Sequence, residues 1–222
     1  MPRPIRPFAK ACKHMHPSSI FKTDDQVARM IVRENPLAVL AVNGDDGPVV
    51  AIVPLVWSED GTKLIGHVAR TNSFWQRSQG RTPMVSAVFQ AGDGYVSASA
   101  YPSKAEHGRV VPTWNYIAAE VRGRLTFQTR PDRILASVSA LSDHMEAARA
   151  APWSVDDAPG SYIDKLARAI VAFEIDVTDV RGVRKLSQNK SQSDQRGVVS
   201  DLMQQSANSK HVATEMSLET QA

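Results

Sequence analysis

The chain has 222 residues, enough for one large or two small domains with a proper core. Hydrophobic residues make up 42% and charged residues 22%, ordinary globular proportions, and a formal charge of +3 gives no compositional case for nucleic-acid binding. A single cysteine, Cys12, excludes an intrachain disulfide and suits the reducing cytoplasm, and no apolar run approaches the roughly 18 residues of a bilayer span.

Residues 1–16 read as a disordered basic extension. It holds Arg3, Arg6, Lys10 and Lys13 with no acid, Pro2, Pro4 and Pro7 oppose an amphipathic transit helix, and Met15 is an alternative start. Thr23-Asp24-Asp25-Gln26 has the capping-box pattern of a helix start. Val27, Met30 and Ile31 form its apolar stripe, and Asn35-Pro36 ends it. Leu37 to Val42 and Val49 to Trp57 read as two antiparallel strands about an Asn43–Gly47 turn, and Lys63 to Val68 as a third. Asn72 to Gln79 reads as a short helix. Met84 to Phe89 and Tyr95 to Ser99 read as a hairpin about Gly92-Asp93-Gly94. Alternation over Val121–Phe127 and over Val171–Val177 predicts two further half-buried strands. Helices are predicted from Pro131, with Ile134, Leu135, Val138, Leu141 and Met145 on one face, and over Tyr162 to Arg168. Residues 191–222 read as a helix to about Gln205 followed by a mobile polar tail. The expected fold is mainly β, an antiparallel closed or split β-barrel with inserted helices over residues 17–190.

Three segments could carry chemistry. The first is Gly66-His67-Val68-Ala69-Arg70-Thr71-Asn72, where a strand runs into a helix start. Arg70 offers a fork suited to phosphate, beside free backbone N–H groups. Its bland alternative is a capped helix with a solvated arginine. The second is Tyr101–Tyr116, a polar loop rich in aromatics, bases and imide rings. There Trp114 and Tyr116 could wall a flat ligand while Thr113 and Asn115 address its polar rim, or the aromatics could simply be core. The third is Lys185-Leu186-Ser187-Gln188-Asn189-Lys190, placed after the last strand. Its cation, hydroxyl and amides could read a phosphate or an imide edge, or form a hydrophilic loop. Asp143, His144 and Glu146 scatter around a helix, so no metal site is expected, and no serine or cysteine has an assigned base.

Those three segments, with Tyr95-Val96-Ser97 and Pro152-Trp153-Ser154-Val155-Asp156-Asp157-Ala158-Pro159, resemble the PaiB family of FMN-binding proteins, commonly described as negative transcriptional regulators. The resemblance runs from about Met15 to Leu202. It implies a split-barrel flavin-binding fold and a homodimer with FMN in grooves at the subunit interface. It places the cofactor against His67, Ala69, Arg70, Asn72, Ser97, Thr113, Trp114, Asn115, Lys185, Gln188 and Asn189. Lys185 and Gln188 are expected to close the site from the partner subunit. The chain departs from the family pattern at Ile52 and Glu120, where histidines are usual, and at Ala98 and Ala100, where Pro and Trp are usual. Losing an indole there would empty about 150–250 Å² of packing surface, leaving space for a substrate.

Two functions compete. One is a flavin-binding regulator, against which stands the lack of a DNA-reading helix pair. The other is an FMN-dependent oxidoreductase acting on a small molecule. Haem handling would need a histidine ligand, with His67 and His107 the central candidates.

Overall fold

The computed structural model describes Met15 and residues 18–219. The expected disordered extension, with Cys12, His14 and His16, falls almost wholly outside them. A 3-10 turn at Ser19–Phe21 precedes helix α1 (Asp25–Glu34). The Asp24 carboxylate caps α1 by accepting from the Val27 N–H at 2.8 Å. The helix buries Ala28, Ile31 and Val32, while Met30, expected on the apolar stripe, is half exposed.

Seven strands follow among the described residues: β1 (Leu37–Gly44), β2 (Gly47–Pro54), β3 (Val56–Trp57), β4 (Lys63–Ala69), β5 (Met84–Val96), β6 (Thr113–Gln128) and β7 (Ile170–Lys185). All neighbours pair antiparallel, in the order β2-β1-β5-β6-β7-β4-β3. The two outermost strands, β2 and β3, are separated in sequence by Leu55 alone. The sheet edges therefore meet, and the sheet must curl into a barrel. Leu55 is fully buried at that seam, and its N–H donates to the Pro36 carbonyl at 2.8 Å. The expected antiparallel barrel with inserted helices is the fold observed.

Alternation fills the interior. Ala38, Leu40 and Val42, Val49, Ala51 and Val53, and Val85, Ala87 and Phe89 all point inward to a core that includes Leu125, Phe173 and Ile175. Helix α2 (Ser73–Ser78) contributes buried Phe74, whose ring meets Phe127 edge-on at 6.3 Å. Helices α4 (Pro131–Glu146) and α5 (Gly160–Ala167) pack outside β4 and β7, joined there by Ile134, Ala167 and Ala172.

Three expectations needed correction. The hairpin about Gly92-Asp93-Gly94 is one continuous strand, β5. Its register shifts between Gln90 and Gly92, so the glycines mark a bulge rather than a turn. The sixteen-residue stretch from Tyr101 is not all loop: it contains helix α3 (Ser103–His107), and its last residues begin β6. The stretch beyond Gln205, expected as a polar tail, is helical: α7 (Ala207–Glu219) follows α6 (Gln192–Leu202), the helix expected to about Gln205, and the two bury Val198, Leu202, Val212, Ala213 and Met216. A Cβ on Gly94 would come 2.7 Å from Leu202 Cδ2, so the helices close onto β5 where it lacks side chains. Serines, glutamines and alanines in this tail hid a buried face too narrow for a periodicity argument.

Candidate functional site

The first segment lies at the far end of β4. His67 is half-buried beside Gly66, whose carbonyl accepts from Ser137 of α4; among the described residues its Nδ1 has no hydrogen-bond partner, and burial lowers its pKa from the usual 6.5. Ala69 is exposed and pairs with Ile170, the first residue of β7. Arg70 donates from Nε to the Arg168 carbonyl at 3.0 Å. Its terminal amino groups join no ion pair among the described residues. Arg70 lines a cavity of about 300 Å³ between α4 and α5, with Arg168 and Asp164 at its polar side and Ile134 and Leu135 at its apolar side. Asn72 spends its side-chain oxygen capping α2, accepting from the Phe74 N–H at 2.8 Å.

The second and third segments meet each other at the opposite end of the barrel. Thr113, Asn115, Lys185 and Asn189 line one pocket of about 230 Å³ with Tyr101 and Ser187. Lys185 is the final residue of β7 rather than part of the following loop. Its ammonium donates to Thr113 Oγ1 at 2.7 Å and to the Trp114 carbonyl. Burial lowers its pKa, and no carboxylate pairs with it among the described residues. Asn115 is 1% exposed and donates to Ser187 Oγ at 2.9 Å. Ser187 sits at φ 63°, the only positive φ outside glycine among the described residues. Such a conformation persists where surrounding contacts hold it. Trp114 starts a strand but is not core: it is half exposed, and its ring meets exposed Tyr95 edge-on at 5.8 Å.

Two expected contacts have other work. Both ends of the Gln188 amide serve its own loop, accepting from the Leu186 N–H at 2.8 Å and donating to the Arg184 carbonyl at 2.6 Å. Ser97 Oγ caps the 3-10 turn Ala98–Ala100 by accepting from the Ser99 N–H. The space expected beside Ala100 is closed by α6. A Cβ on Gly197 would collide with the Ala100 carbonyl oxygen and lie 2.8 Å from Pro102 Cδ.

The chain does not bring the two ends together. Arg70 adjoins the first residue of the 16-residue strand β7 and Lys185 is its last, a run of about 50 Å along the strand at ~3.3 Å per residue. Their cavities share no lining residue. Between the ends, the outer barrel face is apolar and exposed. Leu37, Val39, Val50, Ile52, Met84 and Val88 lie on three adjacent strands there, with Ile52 69% exposed. Ile52, Val39, Val88, Glu120 and Arg181 form one cross-strand rung. Two departures from the resembled family pattern therefore share a face.

Glu120 is buried and accepts from Ser86 Oγ at 2.7 Å and Arg122 Nε at 2.6 Å, with Arg181 Nη1 3.8 Å away. Burial works to raise its pKa. The hydrogen bonds from Arg122 and Ser86 and the charges of Arg122 and Arg181 outweigh that, holding it below the usual value.

Sequence reasoning missed Tyr101, Ser187 and Lys190 as pocket residues, although all three stand in segments already singled out. It also missed Arg168. Nothing in the sequence announces that a residue at the end of α5 will face Arg70. His107 belongs to neither pocket, its Nδ1 accepting from the Arg109 N–H on the surface. His144 meets the Arg33 carbonyl, and the described residues contain no metal-binding cluster. No helix among them is long and apolar enough to cross a membrane.

Comparison with known proteins fits this architecture. The sequence matches the family described as "Putative FMN-binding domain" over residues 15–179. It is 29% identical over 211 residues to the uncharacterized protein AN0679 of Emericella nidulans, covering 78% of this chain and 84% of that one. It is 26% identical over 185 residues to the protease synthase and sporulation protein PAI 2 of Bacillus subtilis, covering 82% and 86%. Among solved structures, the flavocytochrome Anf3 of Azotobacter vinelandii superposes with a TM-score of 0.58 at 13% identity, covering 82% of this chain and 78% of that one. The FAD and heme binding protein of Mycobacterium smegmatis gives 0.56 at 18% identity, covering 78% and 77%. At such identities the likeness is one of fold. The matched span takes in every strand of the barrel up to the middle of β7, and the chain belongs to the "Putative FMN-binding domain" family, folded as an antiparallel split barrel.

Proposed function

We propose that this protein binds a flavin, FMN by preference, in a groove completed by two copies of the chain. The observation that carries this reading is the separation of the polar clusters. Arg70 and the Thr113–Asn115/Lys185 cluster stand at opposite ends of β7, so residues of both kinds reach one cofactor only from different protomers. The exposed apolar rungs of β2, β1 and β5 offer a second copy a face to cover.

The residues fit the group. The open amino groups of Arg70 suit the phosphate, and the exposed Tyr95–Trp114 pair suits an aromatic ring. A bound flavin would supply reversible electron and hydride transfer. Arg70 of one copy and the Tyr95–Trp114 pair of the other would hold and orient it, beside the Lys185 pocket. Such binding is tested by titrating FMN and FAD into the purified protein while following absorbance and flavin fluorescence. Saturable binding of one flavin per chain is expected, and neither flavin binding would end the reading.

Similarity to the Bacillus subtilis sporulation protein supports a regulatory role of the PaiB type. The small lysine-lined pocket supports instead an oxidoreductase acting on a small molecule. Bleaching of the bound flavin by NADH or NADPH favours the enzyme. Salt-dependent DNA retardation above the nonspecific level favours a direct regulator.

A further inference from the structure

The pocket at the Lys185 end is too small for the cofactor assigned to the groove. Its volume of about 230 Å³ falls below the roughly 300–1,000 Å³ of cofactor and drug-sized sites. Yet it is built. Tyr101 is 1% exposed, and its hydroxyl has no partner among the described residues, an expensive state for a buried donor. Burial, and secondarily the charge of Asp194, keep that hydroxyl protonated and able to donate. The Lys185 ammonium uses two of its three donors on Thr113 and Trp114. Lys190 adds a second cation, 5.1 Å from the centre of the Tyr101 ring. None of the described lining residues is acidic, and the Asp194 carboxylate is already engaged by the Ser103 N–H and hydroxyl. Phe21, Val111 and the Tyr101 ring supply apolar wall.

We infer that this pocket binds the carboxylate of a small molecule with a compact apolar body, the carboxylate accepting from Lys185 Nζ and Tyr101 Oη. Two cations with no acid among the lining residues, the nearby Asp194 being held by Ser103 and Ser191, select a negative group. An apolar wall selects a carboxylic acid with a hydrocarbon or aromatic body over a bare inorganic anion. The inference rests on the flavin reading only for its role: beside a bound flavin, the acid is the small-molecule substrate or effector. Occupation of the pocket itself does not require flavin.

Full-length protein is titrated with benzoate, and separately with inorganic phosphate, by calorimetry and by ¹H–¹⁵N NMR, with and without FMN. Benzoate is expected to bind saturably at one site per chain, shifting the amide signals of Asn115, Ser187 and Lys190. Lys185→Met should weaken it about 10- to 100-fold, the effect of losing a charged donor, and Tyr101→Phe about fivefold, that of losing a neutral one. Tyr101→Phe removes an unpartnered hydroxyl and keeps the ring, so it tests the site even if Lys185→Met misfolds. Benzoate silent in both flavin-free and FMN-loaded protein overturns the inference while leaving flavin binding standing. Benzoate bound without any FMN affinity supports it and removes the flavin reading instead. Phosphate bound in place of benzoate, with the same two variants weakened, overturns the carboxylate assignment.

Discussion

Replacing Ile52 by glutamate separates a barrel that works in pairs from one that works alone. Ile52 lies on the outer face of β2 and is 69% exposed, so in a free protomer its side chain is already in water. A surface substitution there costs the fold about 0.5 kcal/mol, with up to ~1 kcal/mol more from the poorer strand propensity of glutamate. A second copy seated on this face would bury most of the side chain. Full burial of an isoleucine is worth about 1.5–3 kcal/mol, so the exposed share is about 1–2 kcal/mol per copy. Two-fold symmetry doubles this to about 2–4 kcal/mol, a rise of roughly 30- to 1,000-fold in the dimer dissociation constant. Desolvation of the new carboxylates adds to that. Sedimentation velocity over a dilution series reads the change directly. Ile52→Glu should dissociate at concentrations where the wild type remains dimeric, with its circular dichroism unchanged. A wild type that is monomeric throughout, or a variant that dimerises as tightly as the wild type, would refute the reasoning.

Three further perturbations probe the same framework. Glu120→Gln should cost about 1–3 kcal/mol, less than a fully buried pair because Arg122 is 43% exposed, since it strips the mostly buried Arg181 of a compensating charge. The Glu120 pKa is depressed, so its contribution is full above the unfolded carboxylate value and lost as pH falls through the folded one. The gap between wild type and variant in urea unfolding should therefore narrow towards acid pH, and a gap that stays constant would contradict the assignment. His67, held neutral by burial, should titrate below 6.5 by NMR, and the stability it supports should decline as pH falls below that value; titration at or above 6.5 would be inconsistent with its burial. Gly197→Ala gains about 1 kcal/mol of helix propensity but drives a methyl into the Ala100 carbonyl, so α6 must lift. A net fall in melting temperature of about 2–8 °C is expected, and a rise would show that α6 is not tightly docked on that turn.

The barrel was legible because its strands alternate, and alternation is local. β1, β2, β4 and the cores of β6 and β7 follow from the placement of Leu40, Val53, Leu64, Val121 and Phe173. The misread elements depend on contacts that no local pattern carries. Gly92 and Gly94 carry a turn signal, yet they admit α6 and α7 against a straight-running strand. Helix α7 buries one face through Ser209, Val212, Ala213 and Met216, small or polar residues whose burial only the barrel reveals. For the site, residue chemistry singled out the Thr113–Asn115 and Lys185 segments separately, and the resemblance had Lys185 and Gln188 reach in from a partner subunit; within one chain Lys185 already meets Thr113, because β6 and β7 pair there. Residue chemistry could not show that Arg70 belongs to the other end of β7. Separation of those ends is a property of strand length and register.

The central claim is a flavin site shared between protomers, and subunit mixing tests it most directly. Arg70→Gln and Trp114→Ala are prepared separately, each expected to bind FMN poorly because every groove lacks one of its two ends. Equal amounts are then mixed, exchanged and titrated with FMN by fluorescence. Hybrid dimers carry one groove with both defects and one with neither, so about a quarter of all sites should recover wild-type affinity. Mixtures that bind FMN no better than the separate variants would contradict the account.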